Sequence, residues 1–250
     1  MTEGKNIYFA SDLHLGIPNR EASLEREKAF VRWLDMVSVD AAEIFLLGDI
    51  FDFWFEYKKV VPRGYTRLFG KLSELSDRGL PIHLFTGNHD LWLKDYFLEE
   101  MGIPVYQEAQ VRSFHGKKFF LAHGDGLGPG DRSYKLMKKV FTNSFCQFAF
   151  RQLHPDFAAN LALFLSRKSR DAQVNDEVKF LGLEKEWLCQ YALRKLEKEH
   201  FDYFVFGHRH TPVNVDLNKQ SKYCNLGDWI KHRSYAKFDG ESLDVLFFEP

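Results

Sequence analysis

The chain has 250 residues, of which 45% are hydrophobic and 28% charged, and its formal net charge is −1. This length fits one large domain with a real core, and the composition excludes the disordered and fibrous classes. A nearly neutral chain has no general attraction to nucleic acid, so we expect no nucleic-acid partner. The three cysteines are few and far apart, which favours a reducing compartment. With no signal-peptide pattern and no run of ~18 apolar residues, we expect a cytoplasmic protein.

Short apolar runs alternate with amphipathic segments along most of the chain. The spacing predicts strands within residues 6–12, 43–49, 81–90, 117–125 and 202–210. Helices are predicted over 25–37 and 66–79, because apolar residues recur there at helical spacing and Gly79 stands near the end of the second. The order β-α-β-α-β indicates an α/β layered fold. The end of the chain, from Tyr223, is typical of hairpins, with a turn at Asp239-Gly240.

One segment departs from this alternation. After the glycine-rich stretch 124–130 the pattern is typical of helices up to about residue 198. This predicts an insertion over 127–198 between core segments 1–126 and 199–250. A first helix would carry Met137, Phe141, Phe145 and Phe148 on one face, and a second Phe157, Leu161 and Phe164. Residues 127–170 hold eight Lys/Arg and two Asp, so positive charge is concentrated there.

Each of the five predicted strands ends in side chains that bind metals or phosphates. Ligands gather outside the carboxyl ends of strands in open α/β sheets, so the five ends could meet at one site. In Asp-x-His the two side chains point the same way, because the side chains of a strand alternate. Seven residues are candidate ligands by this reasoning: Asp12, His14, Asp49, Asn88, His123, His208 and His210.

Seven ligands are too many for one tetrahedral zinc but suit two ions about 3.5–4 Å apart that share a carboxylate. The mixture of carboxylate, imidazole and amide favours Mn, Fe, Zn or Ni. Each residue alone has an ordinary alternative: a histidine can be structural, Asp12 or Asp49 can cap a helix, and Asn88 can belong to a turn. Their joint order along the chain favours the metal site.

The motifs DLH, GD, GNHD, HGD and GHRH, in that order, resemble the calcineurin-like metallophosphoesterase superfamily over the whole chain except the insertion. The resemblance implies a four-layer α-β-β-α sandwich with a helical cap insertion. It also implies two divalent transition metal ions, expected to be Mn²⁺ with Fe or Zn as alternatives. Asp49 would bridge them, Asp12, His14 and His210 would bind one ion, and Asn88, His123 and His208 the other.

A finer resemblance concerns the substrate. The motifs DLHLG, GDIFDFW, HGDGLGPGD, GHRHTP and LGDW are similar to those of the UDP-2,3-diacylglucosamine pyrophosphohydrolase family of lipid A synthesis, which carries a helical insertion after HGD. The resemblance implies hydrolysis of UDP-2,3-diacylglucosamine to UMP and 2,3-diacylglucosamine 1-phosphate, with the enzyme peripheral on the inner membrane. At position 89 many members of that family have Arg, whereas this chain has His89.

Two residues of GNHD are then expected to be catalytic. His89 follows a metal ligand and could donate a hydrogen bond or a proton to the phosphoryl or leaving-group oxygen. Asp90 would support His89, or alternatively cap a helix that begins at Leu91. Arg209 lies between two ligands and should face away from them, in a structural salt bridge.

The insertion is expected to select the substrate. Its phenylalanines could accept acyl chains while its basic residues meet phosphate or an anionic membrane surface. The preferred substrate-binding residues are Arg167, Lys168 and Arg170. The alternative is that the phenylalanines form ordinary core and the charges a solvated face.

Three other functions stay open. The fold also serves soluble phosphoesterases of nucleotides or phosphoproteins, which have no need of a basic, aromatic cap. A nuclease is disfavoured by the net charge. The retromer subunit of this fold is a non-catalytic scaffold with an impaired metal site, whereas this chain keeps all seven ligand positions and His89.

Overall fold

A computed structural model describes residues 6–127, 132–173 and 179–249, without the side chains of residues 132–134, 165 and 167–173. It contains two mixed β-sheets. The first has the strand order β11-β10-β1-β2-β3-β4, formed by Leu243–Phe247, Ser234–Phe238, Asn6–Ala10, Ala41–Leu47, Ile82–Phe85 and Val105–Tyr106. The second has the order β5-β6-β7-β9-β8, formed by Gln110–Phe114, Lys117–Ala122, Tyr203–Phe206, Lys222–Leu226 and Pro212–Asp216. The five strands expected from the sequence are confirmed, and β4, β5 and β8 are additions.

Three helices cover the outer face of the first sheet: α1 (Arg20–Val37), α2 (Thr66–Asp77) and α3 (Tyr96–Met101). Their buried apolar residues, such as Phe30, Leu72 and Phe97, form one cluster with Tyr8 and Ile44 of the sheet. Helix α2 ends as expected, with Gly79 in the left-handed region at φ 82°. The predicted helix over 25–37 begins earlier, because the Asn19 side chain caps α1 by accepting the N–H of Ala22.

A second cluster of buried side chains fills the space between the sheets. It pairs Phe9 and Phe45 of the first sheet with Phe119 and Val205 of the second, and the rings of Phe9 and Phe119 stack at 6.0 Å. The hairpin of β10 and β11 turns at residues 239–242, as predicted. Strand β9, which the sequence pattern predicted to belong with that hairpin, lies in the other sheet.

The outer face of the second sheet is covered by α7 (Trp187–Leu196). Its Leu188, Cys189 and Ala192 are buried against Phe120 and Phe204 of the sheet. The architecture is therefore the predicted four-layer α-β-β-α sandwich. The division into core and insertion stays a prediction. We propose that the insertion ends before Trp187 rather than at residue 198, because α7 packs against the second sheet.

The segment between β6 and α7 adds three helices: α4 (Arg132–Thr142), α5 (Ser144–Arg151) and α6 (Pro155–Gln173). The single first helix predicted through Phe148 is wrong. Asn143 interrupts it, since its backbone is extended and its side chain accepts the N–H groups of Phe145 and Cys146 as an N-cap. Several large apolar side chains of these helices face solvent, including Phe145 (74% exposed), Phe164 (63%) and Phe157 (59%).

Two further findings concern the expected surroundings of the protein. All three cysteines are free thiols, and Cys189 and Cys224 are buried. Among the described helices, none combines the length and the apolar character that a membrane crossing requires.

Candidate metal centre

The candidate ligands follow five strands whose carboxyl ends meet along one edge of the sandwich. Strands β1, β2 and β3 lie side by side and parallel in the first sheet, and β6 and β7 are parallel neighbours in the second. The loops after them carry all seven residues predicted from the sequence. The structure places six of them, together with His89, in three overlapping groups: Asp12-His14-His210, His14-Asp49-His89 and Asp49-His123-His208. The seventh, Asn88, contacts His208 and His123.

The first predicted donor group contains Asp12, His14 and His210. Nε2 of His210 lies 3.2 Å from Oδ1 of Asp12 and 3.2 Å from Nε2 of His14. The other oxygen of Asp12 is held in place by the N–H of His208 at 2.9 Å. One carboxylate oxygen and two imidazole nitrogens thus point at a common position.

The second predicted donor group contains Asn88, His123 and His208. Oδ1 of Asn88 lies 2.8 Å from Nδ1 of His208 and 3.2 Å from Nε2 of His123. His123 donates from Nδ1 to the carbonyl of Leu47 at 2.8 Å, which directs its Nε2 into the group. Oδ2 of Asp49 lies 3.3 Å from Nε2 of His123 and 3.6 Å from Nε2 of His14, so it stands between the two groups.

The backbone of the site occupies a conformation that non-glycine residues rarely adopt. Five candidate ligands have a positive φ between 45° and 68°, namely Asp12, His14, Asp49, His208 and His210. Each such residue costs of order 1–3 kcal/mol, so the surrounding structure must hold it there. Gly207 makes this approach possible, because a Cβ at that position would lie 2.5 Å from Oδ2 of Asp12. Gly87 is required in the same way, since its Cβ would collide with the carboxylate of Asp49.

The buried histidines and carboxyl groups of the site shift one another's pKa values. Burial alone would lower the pKa of His14, but the carboxylates of Asp12, Asp52 and Asp49 outweigh it and raise that pKa to about 10. His123 behaves likewise beside Asp49. Burial opposes ionisation of Asp12 and Asp49, yet the neighbouring histidines hold the pKa of both carboxyls well below the usual range. The carboxyl groups of Asp12 and Asp49 are therefore ionised, and positive charge nearby stabilises them.

The chemistry of the donor set fits divalent metal ions. Oδ1 of Asp12 is buried, and its nearest donors, Nε2 of His210 at 3.2 Å and Nε2 of His14 at 3.7 Å, form no well-aligned hydrogen bond with it. A cation bound by all three atoms would satisfy this oxygen. Burial and the charge of His123 lower the pKa of His208 to about 4, so this imidazole is neutral. The carboxylates raise the pKa values of His14 and His123, so a metal ion would have to displace a proton from each of these two rings. Two groups of N and O donors around one shared carboxylate suit a pair of ions. The identity of each ligand stays a prediction.

His89 lies at the edge of this cluster, and its ring packs against His14 with centroids 4.7 Å apart. Its Nδ1 is 3.3 Å from the carbonyl of Asp52 and 3.5 Å from that residue's Oδ1. Asp52 is buried and also lies 3.4 Å from Nδ1 of His14. Sequence reasoning missed Asp52, although it stands in the GDIFDFW stretch, three residues after Asp49.

The expected contact between Asp90 and His89 does not form, and this prediction is wrong. The Asp90 carboxylate instead accepts backbone N–H groups from Gly87 (2.7 Å), Ile50 (2.8 Å), Asp49 (3.3 Å) and Phe51 (3.3 Å). A buried carboxylate takes these donors because they would otherwise be unsatisfied. The alternative of a helix beginning at Leu91 is also wrong, since residues 91 and 92 form a turn and α3 begins at Tyr96.

Arg209 forms the structural salt bridge expected from its position. Its Nε lies 3.0 Å from Oε1 of Glu186, a buried residue just before α7. A second ion pair joins the inserted helices to the core, where Nζ of Lys138 donates to Oδ2 of Asp125 at 2.6 Å. Next to this pair a cavity of about 440 Å³ is lined by His123, Asp125, Lys138 and Glu108 among others.

The predicted substrate-binding residues lie outside the described side chains. Arg167, Lys168 and Arg170 belong to α6, whose backbone is described up to Gln173. Ser166, the residue before them, is described and contacts both Asp52 and His89. Residues 128–131, which connect β6 to α4, also lie outside the described part of the chain.

A four-layer sandwich with two N/O donor groups around a shared carboxylate defines a metal-dependent phosphoesterase. Comparison with known proteins agrees: the family model described as calcineurin-like phosphoesterase matches residues 5–212. The chain belongs to the calcineurin-like phosphoesterase family, which makes it a metal-dependent hydrolase of phosphate esters.

Individual relatives are similar over almost the whole chain. A protein of Porphyromonas gingivalis named UDP-2,3-diacylglucosamine hydrolase is 40% identical, over 95% of this chain and 95% of its own. One of the same name from Edwardsiella ictaluri is 25% identical, over 95% of this chain and 90% of its own. A solved phosphoesterase structure from E. coli, 16% identical, covers 98% of this chain and 93% of that one with a TM-score of 0.48.

Proposed function

We propose that this chain hydrolyses the pyrophosphate of UDP-2,3-diacylglucosamine to UMP and 2,3-diacylglucosamine 1-phosphate, a step of lipid A biosynthesis. The observation that carries the proposal is the 40% identity, over 95% of both chains, with a relative named for this substrate. The geometry supports it, because six of the seven candidate ligands form overlapping groups with donor atoms within 4.8 Å of one another, and Asn88 lies 2.8 Å from His208.

The metal part of the proposal assigns two ions, with Mn²⁺ as the expected metal. Asp12, His14 and His210 would hold one, Asn88, His123 and His208 the other, and Asp49 both. When bound, such ions neutralise charge on a phosphate and lower the pKa of water to near neutrality. Two observations support this assignment: the buried Oδ1 of Asp12 lies beside two imidazole nitrogens without a well-aligned hydrogen bond, and Oδ2 of Asp49 lies between the two histidines His14 and His123.

His89 would act on the phosphate. Its ring stands beside His14, so a phosphate held at the metal centre would lie within its reach. Nδ1 lies 3.3 Å from the carbonyl of Asp52 and 3.5 Å from its carboxylate, and we propose Nε2 as the nitrogen that would meet a phosphoryl or leaving-group oxygen. A donor placed where charge develops stabilises the transition state of such a reaction.

The inserted helices would form a cap that binds the lipid part of the substrate. Their exposed apolar side chains, among them Phe145, Phe157 and Phe164, could cover acyl chains. Arg167, Lys168 and Arg170 would meet substrate phosphate, and the basic character of this segment suits an anionic membrane surface. A cytoplasmic enzyme, peripheral on the inner membrane, would meet its substrate there.

The attachment of the cap to the core supports this role. Trp92, two residues after GNHD, donates from its indole N–H to the carbonyl of Phe141 at 2.6 Å and packs against Phe150 at 4.8 Å between ring centroids. Phe55 packs against the same Phe150 at 4.8 Å. The cap therefore rests on the two loops that carry His89 and Asp52, next to the proposed reaction centre.

The test compares two UDP-sugars that differ in their acyl chains. The Mn-loaded protein should release UMP from UDP-2,3-diacylglucosamine at a kcat/KM at least about 10²-fold above that for UDP-N-acetylglucosamine, because only the lipid can use contacts with the cap. Equal rates on both would support instead a soluble nucleotide-sugar phosphoesterase. Turnover of neither, with retained activity on bis(p-nitrophenyl) phosphate, would refute the proposed substrate.

A further inference from the structure

A hydroxyl of the cap reaches the pair formed by His89 and Asp52. Ser166, on α6, lies 3.2 Å from Oδ2 of Asp52 and 3.1 Å from Nδ1 of His89. Ser166 is half-buried and Asp52 is fully buried, so this contact is made away from bulk water. It joins three elements that are far apart in the chain: the loop after β2, the GNHD loop and the cap.

The polarity of these hydrogen bonds determines which nitrogen of His89 carries a proton. A serine hydroxyl has one hydrogen, and in this contact the hydroxyl of Ser166 donates it to Oδ2 of Asp52. The Ser166 oxygen can then only accept from His89, which requires a proton on Nδ1. The carbonyl of Asp52, 3.3 Å from the same Nδ1, also requires a donor there. Both contacts orient the ring in the same way.

We propose that Ser166 is a positioning residue for phosphoester hydrolysis, supplied by the cap to hold the His89 ring with Nε2 towards the reacting phosphate. This inference rests on the proposed role of His89, but not on the lipid substrate. Ser166 itself does not touch the reacting atoms. The cap thus contributes to the chemical step in addition to binding, and any substrate of the centre benefits from it.

The test uses a small substrate, bis(p-nitrophenyl) phosphate, that needs no acyl contacts. Ser166→Thr and Ser166→Val have nearly the same shape and differ in whether the hydroxyl is present. The Val variant should lose about tenfold in kcat, as is usual for the loss of a supporting hydrogen bond, with KM changed less than about twofold, while Thr retains most of the activity. Bound metal, measured by elemental analysis, should be equal in both.

The second arm is a double-mutant cycle. Combined with His89→Ala, the Ser166→Val change should cost less than about twofold, because the ring that Ser166 orients is gone. A control is Gln147→Ala, which removes another hydrogen bond between cap and core, to Lys94 at 2.7 Å, and should leave kcat unchanged.

Three results would overturn the proposal. Equal kcat for the Thr and Val variants would mean that the hydroxyl has no role. An equal loss from Ser166→Val with and without His89 would mean that Ser166 supports only the fold. A rise in kcat would mean that the contact restrains the cap. Failure to turn over the lipid would refute the proposed function alone, since this assay does not use it.

Discussion

The carboxylate of Asp90 holds the backbone of Asp49, accepting its N–H at 3.3 Å while it also binds the N–H groups of Gly87, Ile50 and Phe51. Burial and the nearby charge of Asp49 raise the pKa of Asp90 to about 7. Asp90 and Asp49 are both buried and lie side by side. Asp90 holds the loop that carries Asp49, because its carboxylate accepts the backbone N–H groups of that loop. The role of Asp90 is structural support of the candidate bridging ligand.

Replacing Asp90 by Ala should destabilise the protein strongly. Four buried backbone N–H groups would lose their acceptor, and each unsatisfied group costs about 1–3 kcal/mol, so we expect a loss of at least about 3 kcal/mol in the free energy of unfolding. Urea denaturation measures it. Asp77→Ala, at an exposed position, is the control and should change stability by less than about 0.5 kcal/mol. Similar values for both variants would contradict the role assigned to Asp90.

Asp49 should be needed for metal binding. Protein purified without chelator is expected to hold about two transition ions per chain, because two donor groups share this carboxylate. Asp49→Ala should lose most of the metal, as counted by elemental analysis, together with activity on bis(p-nitrophenyl) phosphate. An Asp49→Ala protein that is fully active would refute the dinuclear assignment.

His89 should matter for rate and not for metal content. His89→Ala is expected to lower kcat by about 10²–10³, the usual effect of removing a group that stabilises a transition state. The measurement is kcat beside elemental analysis of the same samples. His89 could instead be a metal ligand, since its donor atom lies within 4.8 Å of donor atoms of His14 and Asp49. Loss of metal from His89→Ala would make it a ligand.

The cap cations should serve the lipid substrate alone. Changing Arg167, Lys168 and Arg170 to Ala should reduce turnover of UDP-2,3-diacylglucosamine strongly and spare bis(p-nitrophenyl) phosphate, because remote contacts supply binding energy that only the larger substrate can use. Binding to anionic vesicles should weaken by about 1 kcal/mol per residue.

A triple control for the cap experiment comes from exposed basic residues elsewhere, Arg32, Arg78 and Lys219. Their replacement by Ala should leave lipid turnover unchanged. Equal losses on both substrates in the cap variant would mean that these residues support the fold, and equal retention would mean that the lipid is recognised elsewhere.

The candidate ligands could be predicted from the sequence because they follow strands. A parallel neighbour places its end at the same edge, so Asp12, Asp49 and Asn88 must converge once β1, β2 and β3 pair. Arg209 forms the expected salt bridge, but strand alternation is not the reason, because β7 ends at Phe206 and His208 and His210 have left-handed backbone. The ligand predictions needed only local patterns and one rule of sheet topology.

Predictions that depended on packing between distant segments were incomplete or wrong. Ser166 meets Asp52 across 114 positions and His89 across 77, and no local pattern announces such a contact. The partner of Asp90 was missed because the donors are backbone groups of another loop. Asn143 could have been recognised as a helix start, because Asn is a preferred N-cap residue and an apolar run at helical spacing follows it. Helix α7 looked like part of the insertion because its burial depends on the second sheet.

The most direct test of the central claim is the identity of the products. Purified, Mn-loaded protein incubated with UDP-2,3-diacylglucosamine should yield UMP and 2,3-diacylglucosamine 1-phosphate in equal amounts, as measured by mass spectrometry, and the yield should disappear in the Asp49→Ala variant. Unchanged lipid in the presence of active, metal-loaded enzyme, or release of UDP in place of UMP, would contradict the account.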